Sequence, residues 1–531
     1  MDSDLRSNLS VIEKQQIPFV SLYYPFSLRK TLVLAYFEQL WYQSEFLYAC
    51  LDINAEQSIP CAFFKPGIFY LGHPVTVIFN KLAKSSLIPK DAVYEMTVAS
   101  DIFRFLTPSV GETKCSKVVD ILNLHSDVSR LRGSALRHMR TAIASTKVYK
   151  DDEEMADDAA ETKTSLNRSC ILSPSFPEWA ILMSIEHAHL TLETLVAYMR
   201  HQPLSALKTA SVFEYWPHRR RAPMKSRELT PRNVLVKIQE GTVKHMGLRV
   251  EIKNDKSSDN AVLIDEEEFE RALKRADARR TCRQGGIRGD VLVQPFLAAK
   301  FKVSNAEFLD FILDGGYGNE AFWTPAGLLW KQEAGVTHPK WWRVADSVES
   351  NEKKYFLRDT LEEIPLPMDW PVEVTLWEVD AFLRWKNALN KNGGVYALPT
   401  EAQHILFSGG HIFENEPAFE EAVYHGSALG SFCPRSNLDW KYLSPSPVDA
   451  HQPSVAGIHD PAGNSWEWVI DDAPQSTDPP TTESGTHALV GGCWCSSGDP
   501  ATSARYNAGG PSPGRRFLRE ASFRYVFKAV P

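Results

Sequence analysis

The 531-residue sequence predicts an α+β protein, with a helical bundle over residues 18–210, a linker over 211–232 and a strand-and-loop domain over 233–531. Three observations point there. The chain is too long for one compact core, and ordinary domain sizes imply roughly two to four units. From Pro18 to Leu207 it carries long apolar-rich segments with few breakers, the raw material of an antiparallel bundle. Beyond Arg232 the texture changes to many Gly and Pro, short β-branched runs and most of the tryptophans.

Taken in order, Leu28–Phe37 and Phe176–Met199 are the clearest helical segments. Between them, Asp151-Asp152-Glu153-Glu154 with Asp157-Asp158 forms an acidic polar insertion that reads as a mobile loop. The Pro- and Arg-rich stretch Trp216–Arg232 contains His218-Arg219-Arg220-Arg221, which reads as a solvated linker. Val234-Leu235-Val236-Lys237-Ile238 and Val291-Leu292-Val293-Gln294-Pro295-Phe296 then read as strands. No repeat of fixed period is evident.

Composition excludes several classes. A formal charge of -8 argues against wholesale nucleic-acid binding, which needs dense neutralisation of phosphates. No apolar stretch is long enough to cross a bilayer, and Met1-Asp2-Ser3-Asp4-Leu5-Arg6 does not open a signal peptide, so a cytoplasmic location without membrane contact is expected. Eight scattered cysteines do not form a disulfide framework. Cys493-Trp494-Cys495 is the one close pair, and it reads as two reduced, partly buried thiols on alternate sides of a strand.

Glu186-His187-Ala188-His189-Leu190-Thr191-Leu192-Glu193 carries the strongest chemical signal. Residues four apart share a helix face, so His-x-x-x-His can grip one metal ion from two successive turns. The residue at that spacing from His187 is Thr191, and His189 points to the far side of a regular helix. From this segment alone the simpler reading, one core or surface imidazole and one solvated one, is favoured.

Four separated segments alter that balance. They are Phe69-Tyr70-Leu71-Gly72-His73 with Phe79-Asn80-Lys81-Leu82, and Trp179–Met183 running through Glu186-His187 to Glu193. In the C-terminal half they are Val303–Phe308 through Leu398–Ala402, and Ser444–Asp449 through Gly463–Trp468, Gly491–Trp494 and Phe523-Arg524. In this order the chain resembles the non-haem iron sulfoxide synthases of thiohistidine biosynthesis, most closely the ovothiol-pathway enzymes that join cysteine to histidine. The resemblance implies a DinB-like four-helix bundle followed by a formylglycine-generating-enzyme-like domain of the C-type-lectin type. It also implies Fe(II), O2 as co-substrate, and a small-molecule thiol and an imidazole amino acid as partners. The methyltransferase domain of many ovothiol-pathway members has no counterpart here, so methylation is expected elsewhere.

Carried over residue by residue, the resemblance makes His73 and His187 metal ligands and puts Thr191 at the third-ligand position. A threonine hydroxyl is a weak neutral ligand, so the shell would be completed by water, substrate or another side chain. Glu193 would orient ligands or water; the alternative is an exposed helix carboxylate. The family's catalytic tyrosine has no counterpart before Gly491, which leaves Tyr506 as the nearest candidate. Arg516 is the positional candidate for clamping a substrate carboxylate, in a cluster with Arg515 and Arg519. A catalytically degenerate homologue that keeps the scaffold for binding or regulation is the alternative function. Gly463–Trp468 and Gly491–Trp494 are expected to supply tight turns and buried indoles.

Overall fold

The computed structural model describes residues 30–52, 55–56, 58–60, 64–88, 92, 95, 121–146, 177–208, 222–243, 291–346, 353–391, 393–408, 436–438, 440–470, 487–496, 505–507 and 521–528. The chain forms two compact units, the first comprising Met1–His218 with Thr360–Glu362 and the second the remainder. The acidic insertion, the basic run and Arg515, Arg516 and Arg519 lie outside the described residues.

Among the described residues, four long helices build the first unit: α1 (Lys30–Ala49), α2 (Gly67–Lys84), α3 (Ile121–Ser145) and α4 (Pro177–Arg200). Each helix packs against the other three. In α1, Val33, Tyr36, Phe37, Leu40 and Trp41 fall at helical spacing and are buried, which is what fixes that helix against its neighbours. Pro74 sits inside α2 immediately after His73, where it costs one intrahelical hydrogen bond. Arg132 of α3 ties three helices together. Its guanidinium lies 3.9 Å from the Trp41 ring centroid and donates to the Leu71 carbonyl at 2.8 Å, the Trp41 carbonyl at 2.9 Å and Glu45 at 2.9 Å. These bonds satisfy a cation that burial would otherwise penalise.

The second unit mixes short sheets with helices. One four-stranded antiparallel sheet has the order β1 (Leu235–Ile238), β4 (Phe296–Ala299), β13 (Val526–Lys528), β8 (Val395–Ala397). A second has the order β11 (Arg505–Asn507), β10 (His487–Val490), β9 (Trp466–Ile470), β12 (Ala521–Ser522), with β12 parallel to β9. Smaller sheets pair β2 (Gly241–Val243) with β3 (Val291–Val293), and β5 (Trp342–Asp346), β6 (Lys353–Arg358) and β7 (Glu363–Pro365) in sequence. The apolar run Val291–Phe296 is therefore not one strand: the chain leaves β3 at Gln294-Pro295 and enters β4 in a different sheet. Proline lacks the amide that a continuous ladder would need there.

Among the described residues, four α-helices accompany these sheets: α5 (Asn305–Leu313), α6 (Pro325–Ala334), α7 (Leu376–Ala388) and α8 (Glu401–Ser408). Ser304 caps α5 and Thr324 caps α6, each hydroxyl accepting a backbone amide of the first turn. A capping box starts α7, where Thr375 and Glu378 bond reciprocally. Aromatic side chains fill the centre: Phe308, Phe311, Phe382, Trp385 and Phe523 meet at ring separations of 5.2–6.0 Å. Separations in that range are the favoured offset and edge-to-face arrangements.

Gly463, Gly491 and Gly492 have φ of +78°, +88° and +76°, the backbone that turns of this kind require of glycine. A Cβ at Gly463 would meet the Asn437 carbonyl oxygen at 2.5 Å, so even the space is reserved. Trp466, Trp468 and Trp494 are buried beside these turns. The two thiols are reduced and partly buried as expected, but the strand placement fails. Cys493 and Cys495 lie in a turn rather than a strand, and their sulfurs are 3.5 Å apart. Residues two apart share a face in a strand as well, so opposite faces were the wrong inference on either geometry.

Candidate functional site

His73 comes from α2 and His187 from α4, and their rings meet edge to face with centroids 4.7 Å apart. His187 is buried and His73 is half-buried. Phe69 lies one helical turn before His73 and stacks on it at 4.9 Å and 15°, which restricts the ring's rotation. Two imidazoles distant in sequence are thus brought into direct contact, one buried and the other half-buried.

Thr191 is also buried, one turn beyond His187. Its hydroxyl donates to the His187 carbonyl at 2.9 Å and lies 3.5 Å from His187 Nδ1. Back-bonding of this kind is the ordinary resting place of a mid-helix threonine, and it leaves an oxygen lone pair beside the imidazole. His189 takes the other side of the helix, where its Nδ1 is 3.2 Å from the Tyr36 hydroxyl and its ring stacks on that phenol. It is therefore engaged away from His187. Glu193 is buried, which removes the exposed-carboxylate alternative.

Among the described residues, the candidate donors brought together here are the His73 and His187 imidazoles, with the Thr191 hydroxyl beside the second. Among the described residues, no group of three or more His, Cys, Asp or Glu side chains is arranged to hold a metal ion. Two neutral nitrogen donors suit ferrous iron, and the remaining positions would fall to the hydroxyl, water or a bound ligand. The donor set is thus compatible with iron but short of a complete protein shell.

Of the other sequence-derived candidates, Tyr506 lies on β11, its backbone opposite Leu489 of β10 in the second unit. Arg516 lies outside the described residues.

Sequence reading did not single out a buried charge centre in the second unit. Glu467 of β9 receives Arg524 through Nε at 2.6 Å and Nη2 at 2.9 Å, and both side chains are fully buried. Lys302 approaches the same carboxylate at 3.4 Å and donates to the Gly463 carbonyl at 2.9 Å and to that of Ser465. His404 Nε2 lies 3.7 Å from Glu467. Burial opposes ionisation of Glu467, but the Arg524 and Lys302 cations overturn it and hold the carboxyl below the usual range. Burial lowers the Lys302 ammonium and the His404 imidazole. The signal was present in Trp466-Glu467-Trp468: an acid between indoles in a strand buried on both faces needs a cation.

Residues 249–529 match the family model described as sulfatase-modifying factor enzyme 1-like domain. Three curated relatives are hercynine oxygenases. That of Mycolicibacterium smegmatis is 30% identical over 180 residues, covering 33% of this chain and 37% of its own. Those of Mycolicibacterium thermoresistibile and Mycobacterium tuberculosis are each 29% identical over 185 residues, covering 33% of this chain and 36% and 38% of their own. The chain thus spans little more than a third of the length of the curated relatives it matches. Two solved structures, CarF and Treponema denticola variable protein 1, are 13% and 14% identical and cover 56% and 58% of this chain and 99% and 98% of their own. Their TM-scores of 0.29 and 0.31 are too low to support an argument about this fold. With more than half of its residues inside the matched segment, the chain belongs to the sulfatase-modifying factor enzyme 1-like domain family.

Proposed function

We propose that this protein is a non-haem iron, oxygen-dependent sulfoxide synthase that forms a C–S bond between a cysteine-type thiol and a histidine-type imidazole. The observation that carries the reading is the meeting of His73 and His187 at 4.7 Å. The likeness to hercynine oxygenases over a third of the chain supports the same class of chemistry. In this reading residues 18–210 are a DinB-like bundle joined by the linker 211–232 to the formylglycine-generating-enzyme-like domain 233–531. The cytoplasmic location and the ovothiol-type substrates belong to the proposal too; among the described residues no helix is long and apolar enough to cross a membrane.

Bound Fe(II) would supply the activation of O2. His73 and His187 would hold it as neutral donors, Phe69 keeping the first ring in orientation and the Thr191 hydroxyl standing at the third position. Glu193 is assigned to orienting ligands or water, Arg516 to the substrate carboxylate and Tyr506 to supplying a proton. Atoms balance without a further reductant. The thiol and the imidazole C–H each give up one hydrogen, one oxygen atom stays on sulfur, and the other leaves as water.

The test is incubation of iron-loaded protein with cysteine, histidine and O2. Oxygen uptake should accompany a product whose mass is the sum of both amino acids plus one oxygen minus two hydrogens. No uptake and no adduct from a protein that has bound iron stoichiometrically would overturn the reading. A second reading, a degenerate homologue keeping the scaffold for binding or regulation, is favoured by one observation: no complete three-residue donor group exists among the described residues. That reading gives neither uptake nor adduct.

A further inference from the structure

Cys493 and Cys495 lie in the turn after β10, and no step of the proposed chemistry uses them. Their sulfurs are 3.5 Å apart because the backbone on every side of them is pinned. The Gly491 carbonyl accepts the Gly463 amide at 2.8 Å. Between the two cysteines, the Trp494 amide donates to the Asn464 carbonyl at 3.1 Å, and the Trp494 carbonyl accepts the Trp440 amide at 3.0 Å. The Trp494 indole is buried edge-on against Trp440 at 5.3 Å. Ser496 closes the turn, its amide donating to the Cys493 carbonyl at 2.9 Å and its hydroxyl accepting the Cys493 amide at 3.0 Å.

The two thiols differ in access. Cys493 is half-buried, whereas Cys495 is 3% exposed. The Ser496 hydroxyl is 3.4 Å from Cys493 Sγ, placed to donate to a thiolate there. A disulfide bond of about 2.05 Å leaves roughly 1.5 Å to close.

We propose that Cys493 and Cys495 form a reversible dithiol–disulfide couple that exchanges with low-molecular-weight disulfides of the oxidised-glutathione class, Cys493 attacking and Cys495 resolving. Cys493 as thiolate attacks the external disulfide, forms a mixed disulfide and expels one thiolate. Cys495 then loses its proton and attacks the Cys493 sulfur, forming the internal bond and expelling the second thiolate. One external disulfide is reduced to two thiols, two protein thiols are oxidised to one disulfide, and excess external thiol reverses both steps. Access sets the order, since the buried Cys495 can reach only a disulfide formed beside it.

The test treats the full-length protein with oxidised glutathione, blocks remaining thiols by alkylation and maps residues 493–495 by mass spectrometry after proteolysis. The expected wild-type result is an internal disulfide, two hydrogens lighter than the dithiol, with no glutathione retained and full return on adding excess reduced glutathione. Cys495→Ser should retain glutathione on Cys493, and Cys493→Ser should leave Cys495 unmodified. A wild-type protein that keeps glutathione on Cys493, or whose two thiols both remain alkylatable, overturns the proposal. The wild-type measurement decides alone if a variant does not fold. It is independent of iron and of turnover.

Discussion

Replacing Arg524 by methionine probes the buried charge centre of the second unit. Four groups are in play: the cations Lys302 and Arg524, and the carboxylates Glu467 and Asp460, all buried. Arg524→Met removes one positive charge, two hydrogen bonds to Glu467 at 2.6 and 2.9 Å, one to the His459 carbonyl at 2.9 Å, and longer ones to the carbonyls of Ala299, Lys300 and Asp460 at 3.3–3.4 Å. Breaking a buried pair by removing one partner costs about 3–5 kcal/mol. Lys302 stays 3.4 Å from Glu467, and the methionine chain still packs where the guanidinium lay 5.3 Å from the Phe407 ring centroid. Both reduce the loss, so the low end, about 3 kcal/mol, is expected. At about 2.1 cal/mol/K per residue, a unit of this length shifts by roughly 1.5 °C per kcal/mol, so calorimetry should show the second unit melting about 4–5 °C lower. Arg524→Lys should fall between, because an ammonium cannot reproduce the two-pronged contact. A shift of under about 2 °C for Arg524→Met would refute the view that this ion pair organises the unit.

Three further outcomes follow from other contacts. Thr191→His should raise Co(II) or Fe(II) affinity by at least about tenfold, the effect that even an outer partner of a metal ligand carries; calorimetric titration reads it, and unchanged affinity would show that position 191 does not face the metal. Acid should destabilise the second unit in two stages. The buried His404 has its pKa lowered, so the unfolded chain binds the proton first and stability falls as pH drops below about 6.5. Glu467, held below its usual range, adds a loss that begins below about pH 4.3; melting temperatures of wild type and His404→Gln should diverge only in the first stage. Thr375→Ala should cost about 1–2 kcal/mol in urea denaturation, because the hydroxyl caps α7 and donates to buried Glu378 at 2.8 Å; a cost near zero would mean that the box contributes nothing to this helix.

Much of the fold was legible because it depends on local pattern. The apolar spacing of Val33, Tyr36, Phe37, Leu40 and Trp41 marks a helix before any partner is known. The glycines at 463, 491 and 492 marked turns for a backbone reason. Pro295 marks the break between β3 and β4, since proline has no amide for a continuous ladder. Other features depend on tertiary contacts that spacing does not encode. Which helices bring His73 and His187 together is decided by packing, as is the engagement of His189 by Tyr36. The motif Trp466-Glu467-Trp468 showed its indoles, but its carboxylate matters only once Lys302 and Arg524 arrive from loops distant in sequence. The turn that holds Cys493 and Cys495 is set by hydrogen bonds of Gly491 with Gly463 and of Trp494 with Asn464 and Trp440, which the local Cys-Trp-Cys pattern does not encode.

The central claim is that the two facing imidazoles of the helical unit hold a divalent metal. Anaerobic titration with Co(II), followed by its visible ligand-field absorption, tests this in wild type, His73→Ala and His187→Ala. The account predicts one equivalent bound by wild type, and affinity lower by at least about an order of magnitude in each variant. Wild-type protein that takes up no metal, or variants that bind it as tightly as wild type, would contradict it.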